Sequence, residues 1–233
     1  MSNADRFLNS YRILEEELSK KYDMDVKAFG SPIVRFINDK EGKDYKDRLN
    51  LCREIRNLLT HHAEFDGERI IEPSDSMIEF LNSTIDYIKR PPLAINYAVS
   101  FEDILKTGSN QRAKTVMRKM QRLGFSHVPV IDNGEFVGIF SISTIFTYAL
   151  SNGLAEINED MLIADFSEIL PPDKHETEKF KFMPPDTTLF TVRIEFEKKL
   201  QRGKRLAAVF ITDNGSVGGR ILGMLTPVDV INI

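Results

Sequence analysis

The chain has 233 residues, 42% hydrophobic and 28% charged, with a formal net charge of −4 at pH 7. This fits a globular protein of one large or two modest domains and argues against a broad nucleic-acid surface, which needs a basic face. No apolar run approaches the roughly 20 residues that cross a bilayer, and the single cysteine, Cys52, precludes an internal disulfide.

Up to about Arg90 the periodicity is helical. Phe7, Tyr11, Leu14 and Leu18 recur at three- and four-residue steps, one face of an amphipathic helix. The stretch is amphipathic and lacks the apolar core of a signal peptide. A short helix is predicted over Ser31–Asn38, with Pro32 suited to its first turn. A third helix runs through KDYKDRLNLCREIRNLLTHH, with Leu51, Ile55, Leu58 and Leu59 as its predicted buried side. A fourth covers EPSDSMIEFLNSTIDYIKR, with the stripe Met77, Phe80, Leu81, Ile85 and Ile88. Four amphipathic helices with short connections read as an antiparallel bundle. The paired prolines of KRPPL cannot continue the last helix, so a domain boundary is expected there.

Beyond Pro92 a pattern occurs twice. AKTVMRKMQRLG is a helix with Val116, Met117, Met120 and Leu123 on one side, stopped by Gly124. HVPVI and FVGIFS are strands joined at Asn133-Gly134, a hairpin turn pair, and another helix starts near Ser143. The order returns as TVRIEFEKKLQRG, LAAVFIT, DNGSVGG, RILGMLT and PVDVIN, with Asn214 matching Asn133 and Gly223 matching Gly138. Each copy is a helix–hairpin–helix unit with one open apolar sheet face, so two such units are expected to pack together.

The residues SHVPVID with GIFSIST, then LAAVFITDNG with GMLTPVD, resemble a tandem pair of CBS domains, a Bateman module. The resemblance implies β-α-β-β-α units and clefts between the copies that take adenine nucleotides. It implies that Thr226, at the end of the last strand, meets phosphate and that Asp229 takes ribose hydroxyls. A hydroxyl and the first N–H groups at a helix start suit an anion, and Lys204 and Arg205 just before the preceding strand could meet its charge. Thr226-Pro227-Val228-Asp229 reads equally well as a capping box with Pro at the first helical position. In the first copy Ser141 matches the hydroxyl position, but Thr144 stands where the acid is expected, and Thr cannot act as a charged double acceptor. His127 falls where the base would approach, or is a strand-end residue without a ligand.

RNLLTH, Arg56 to His61 in the third helix, resembles the motif of the HEPN family, helical bundles that include metal-independent RNases. The resemblance implies RNA cleavage by the RNA's own 2′-hydroxyl, with His61 moving protons, Arg56 forking onto phosphate and Asn57 beside them. On a regular helix Arg56 and His61 lie about 140° apart, which agrees with a site completed by a second copy. The bland alternative is a polar helix end, with His61 and His62 favoured by the helix dipole.

The expected fold class is therefore α+β: a four-helix HEPN-like bundle over residues 1–90, a first CBS domain over 91–155 and a second over 156–233. The expected protein is a cytoplasmic homodimer without a membrane partner that senses an adenine nucleotide (ATP, AMP, S-adenosylmethionine or a cyclic dinucleotide). Its output is metal-independent RNA cleavage or, alternatively, non-enzymatic docking on protein or RNA. Catalytic candidates are Arg56, Asn57 and His61; nucleotide-binding candidates are Thr226, Asp229, Arg205 and Ser141. The four histidines lack metal-ligand spacing, so neither metal nor required cofactor is expected.

Overall fold

The computed structural model describes residues 1–24, 30–61, 64–65, 68–69, 71–152, 157–198 and 203–231. Its contacts separate into two units, Met1–Pro91 and Pro92–Ile233.

The first unit contains α1 (Asn3–Lys21), α2 (Pro32–Asn38), α3 (Lys46–His61), a minimal antiparallel hairpin of β1 (Glu64–Phe65) and β2 (Glu68–Arg69), and α4 (Asp75–Lys89). Ser2 opens α1 with a capping box: its hydroxyl accepts from the Asp5 N–H, and the Asp5 carboxylate accepts from the Ser2 N–H. Phe7, Tyr11, Leu14 and Leu18 are buried as their spacing predicts, in one core with Phe36 of α2 and Phe80, Leu81 and Ile85 of α4.

Of the predicted face of α3, Leu59 is buried and Ile55 packs partly buried against the core, but Leu51 and Leu58 need correction. Leu49, Cys52 and Leu59 are buried, whereas Leu51 and Leu58 are 51% and 41% exposed. The helix carries two apolar stripes about 100° apart. Periodicity cannot choose between them; the packing of α1 and α2 against α3 does.

The second unit contains β3 (Val99–Ser100), α5 (Ala113–Leu123), β4 (His127–Asp132), β5 (Glu135–Ser141), α6 (Ile142–Ser151), β6 (Glu178–Met183), α7 (Leu189–Glu197), β7 (Arg205–Thr212), β8 (Ile221–Leu225) and α8 (Pro227–Ile231). Strands β4 and β5 form an antiparallel pair. The other sheet has the order β3-β8-β7-β6, with β6 parallel to β7 and the other pairs antiparallel. Asn133 and Gly134 both have positive φ, 52° and 84°, the geometry of a type I′ hairpin turn.

The second copy runs β6-α7-β7-β8-α8. In the first copy the leading strand shrinks to a single parallel bridge, Thr107 to Val130, ahead of α5, β4, β5 and α6. Strand β6, EKFKFM, is an element that the sequence reading lacks. Its Phe180 and Phe182 pack with Phe210 of β7, while Lys179 and Lys181 alternate with them and make the segment look polar.

The matched glycines have matched reasons. The Ile139 N–H donates to the Leu170 carbonyl at 2.8 Å, and a Cβ on Gly138 would sit 2.3 Å from that oxygen. In the second copy Gly223 lies opposite Ser100 of β3, and a Cβ there would approach the Ala98 methyl at 2.9 Å. Each return strand is thus bordered by the chain leading into the other copy. Between the two hairpins Ile104, Ile139, Ala208, Phe210, Ile221 and Met224 form a shared core.

Candidate functional site

The starts of β4 and β7 and the β8–α8 junction enclose a cleft of about 410 Å³. Thr226, Asp229, Arg205 and His127 line it beside the apolar Phe125 and Leu206. Asp229 lies one turn into α8, and its Oδ2 accepts from both the Thr226 N–H and the Thr226 hydroxyl, each at 2.7 Å. Its Oδ1 has no hydrogen-bond partner among the described residues. The capping arrangement legible in the sequence is therefore formed, and the Thr226 donors point at Asp229 rather than at an anion. Arg205, the first residue of β7, is 70% exposed and reaches Glu178 Oε1 at 3.5 Å.

The equivalent position in the first copy is filled by protein. Ser141 ends β5 and caps α6: its hydroxyl accepts from the Thr144 N–H, and its own N–H donates to Thr144 Oγ1. It is fully buried, and its hydroxyl donates to Glu178 Oε2 at 3.1 Å. Glu178, the first residue of β6, is 4% exposed. His127 Nε2 lies 3.0 Å from Glu178 Oε1, and a carboxylate only accepts, so His127 carries a proton on Nε2; its Nδ1 lies 2.9 Å from the Ser126 hydroxyl. His175 Nδ1 lies 3.8 Å from Oε2, and Lys204 Nζ donates to the His175 carbonyl at 2.6 Å. Burial pushes the Glu178 carboxyl up, but the neighbouring His127, His175 and Ser141 overcome it and hold it well below the usual carboxylate range.

Residues 86–151 match the family model of the CBS domain. The matched stretch is the end of α4 and the whole first copy; the second copy, which supplies Thr226, Asp229 and Arg205, lies outside it. No curated protein matches the chain. Among solved structures, the chain is similar to the CBS domain pair of protein MJ0100 in complex with 5′-methylthioadenosine and S-adenosyl-L-methionine, at 18% identity and a TM-score of 0.40, covering 60% of this chain and 93% of that one. It is similar to CBSX2 in complex with AMP at 15% identity and 0.43, covering 60% and 94%. A CBS domain protein from Streptococcus pneumoniae TIGR4 matches at 17% and 0.42, covering 58% and 78%. At these values the likeness transfers no ligand to this chain.

Sequence reasoning singled out Thr226, Asp229, Arg205 and Ser141. The fold brings the first three to one cleft and buries Ser141 against Glu178. Glu178 and His175 escaped that reasoning because the strand that carries Glu178 went unrecognised; the spacing His175-x-x-Glu178 was the available signal.

In the first unit Asn57 and His61 are exposed on the last turns of α3. Arg56 sits between them and the bundle, 3.8 Å from Glu15 Oε2, 5.6 Å from the centre of the Tyr11 ring, and donating to Asn57 Oδ1 at 3.3 Å. Burial pushes the Glu15 carboxyl up, against the pull of Arg56. His62 lies outside the described residues. Cys52 is buried, and burial pushes its thiol up to about 11, which makes it an unreactive core residue. Among the described residues no helix is long and apolar enough to cross a membrane, and no group of three His, Cys, Asp or Glu side chains could hold a metal ion.

Proposed function

We propose that the protein is a regulator whose open CBS cleft binds an adenine nucleotide and whose helical unit delivers the response. The observation that carries this is the convergence of Thr226, Asp229 and Arg205 on one cleft beside apolar side chains able to flank a base. Asp229 Oδ1 accepts a ribose hydroxyl, Arg205 meets the phosphate, and adenine is the base that the CBS resemblance implies. Ser141 takes no part, because Glu178 already holds its hydroxyl. The test is calorimetric titration of the full chain with AMP and ATP. Asp229→Ala is expected to weaken binding by about tenfold or more, the scale of a lost hydrogen bond to a charged group. Unchanged affinity in that variant would move the ligand elsewhere; no binding by wild type would end the reading.

A second reading concerns the response. Asn57 and His61 are exposed on α3 and Arg56 is partly exposed, donating to Asn57; the HEPN resemblance implies RNA as their substrate. The Arg56–Glu15 pair is long and partly exposed. Pairs of that kind contribute about 0–1 kcal/mol, so an RNA phosphate can displace it. We propose metal-independent RNA cleavage there, completed by a second copy.

The same reading makes the protein a homodimer. Ile142, Phe146 and Leu150, at four-residue steps on α6, are 61%, 65% and 55% exposed. A stripe of that kind on one helix face suits a self-complementary interface.

A further inference from the structure

We infer that Glu15 of α1 is the general base of the proposed RNA cleavage, the group that takes the proton from the attacking 2′-hydroxyl. The inference rests on the RNase reading of RNLLTH and adds a residue that the motif does not contain. Cleavage by the 2′-hydroxyl moves two protons. One leaves the 2′-oxygen as it bonds to phosphorus, and one reaches the 5′-oxygen as its bond to phosphorus breaks. One imidazole cannot accept the first and deliver the second in the same step. The motif supplies one imidazole, His61, and Arg56 stays charged and takes no proton. A proton acceptor is therefore needed from another element.

Glu15 is placed to be that acceptor. Its Oε2 lies 3.8 Å from Arg56 Nη2, and the Glu15 and Arg56 side chains are 21% and 37% exposed, so both reach solvent where α1 meets α3. Tyr11, one turn before Glu15, sets its ring centre 5.6 Å from the Arg56 guanidinium, and Asn57 Oδ1 accepts from Arg56 Nη1 at 3.3 Å. These contacts hold Arg56 between the α1 pair and the exposed Asn57. A phosphate forked onto Arg56 would lie against Glu15, with the adjoining ribose hydroxyl in reach of the carboxylate. Among the described residues, Arg56 acts on Glu15, and Glu15, Arg56, Arg53 and Cys52 act on Tyr11. Burial raises the Glu15 carboxyl and Arg56 pulls it down. A phosphate that neutralises Arg56 weakens that pull, so the carboxylate becomes a stronger base once RNA is bound. Burial and Glu15 push the Tyr11 phenol up, so it keeps its proton and stays a neutral platform. The step balances. The bond from the 2′-oxygen to phosphorus forms, the bond from phosphorus to the 5′-oxygen breaks, Glu15 gains the first proton and His61 gives the second. The products are a 2′,3′-cyclic phosphate and a 5′-hydroxyl, and exchange with water resets both side chains.

The test is cleavage of a labelled mixed-sequence RNA by the full chain in EDTA between about pH 4 and 9, the span over which carboxyl and imidazole groups titrate. Binding is followed in parallel with a 2′-O-methyl RNA, which has no attacking hydroxyl. Wild type is expected to leave 2′,3′-cyclic phosphate ends, with kcat/KM falling on both sides of the range. Glu15→Gln is nearly isosteric. It should lower kcat/KM at least a hundredfold, the scale of general base catalysis, and abolish the fall on the acid side. It should also bind the 2′-O-methyl RNA as tightly as wild type or more tightly, because Arg56 loses a competing carboxylate. Glu15→Asp should recover part of the rate together with the acid-side fall, and keeps the test open if the Gln variant disturbs the packing of α1 on α3. A wild-type rate in Glu15→Gln would overturn the assignment. So would binding and rate lost together with the acid-side fall intact, the pattern of a structural residue. An acid-side fall that survives in Glu15→Gln and vanishes in His61→Ala would make the base an imidazole and leave the RNase reading standing. Absence of cleavage by wild type at every pH would end both.

Discussion

At the scale of single residues, Glu178 ties the two copies together. It lies on the second copy and takes hydrogen bonds from His127 and Ser141 of the first. A buried carboxylate with such partners is costly to disturb in either direction, because removing one partner leaves a buried charge or an unsatisfied donor. Glu178→Gln keeps the shape, drops the charge and turns an amide toward donors; about 2 kcal/mol lower stability at pH 7 is expected from urea unfolding. The pH dependence has a definite sign. The folded carboxyl titrates below its unfolded value of about 4.3, so its stabilisation is full above that pH and fades as pH falls toward the folded value. The difference between wild type and Glu178→Gln should therefore be present at pH 7 and shrink from about pH 5 downward. A difference that grows in acid would contradict the assigned hydrogen bonding.

Among the elements, the hairpin pairs show how a sequence signal acquires its cause. Gly138 and Gly223 stood out as matched positions, and the structure gives the reason: a neighbouring backbone or side chain occupies the space of a Cβ. Gly138→Ala would press a methyl into the Leu170 carbonyl, a backbone atom with little freedom to move. The expected cost is about 2–3 kcal/mol, the scale of overpacking, measured as a lower urea midpoint. Helix α6 carries the other test. Its exposed stripe is the proposed self-interface, so Phe146→Glu is expected to halve the mass seen by light scattering without lowering helix content. A wild-type protein that is already monomeric would remove the interface. Helix α3 shows the limit of periodicity: Leu51 and Leu58 had the right spacing and are exposed, while Leu59 is buried and Ile55 packs partly buried against the core.

For the whole molecule, the proposed nucleotide cleft and the proposed response surface belong to separate compact units, Pro92–Ile233 and Met1–Pro91. Cleavage of a labelled mixed-sequence RNA in EDTA tests the proposed response. Wild type should shorten the RNA, and Arg56→Ala and His61→Ala should each reduce the rate at least a hundredfold, the scale of general acid–base catalysis. AMP should change the wild-type rate and leave Asp229→Ala unaffected. Equal traces from all proteins would make the RNLLTH segment a polar helix end and the helical unit a docking module.

The sequence alone determined the helical first half, the break at the paired prolines and the duplicated hairpins, because helix periodicity, proline stereochemistry and the positive φ demanded of Asn133-Gly134 are local properties of a chain. It also marked Thr226, Asp229 and Arg205, whose types and spacing are chemically suggestive without any fold. Only the tertiary structure decided which apolar stripe of α3 is buried, that EKFKFM is a strand, and that Ser141 is spent on Glu178 from 37 residues away. Those outcomes depend on what meets a segment across space, and burial gives a carboxylate that would be solvated in the extended chain its fixed partners His127 and Ser141.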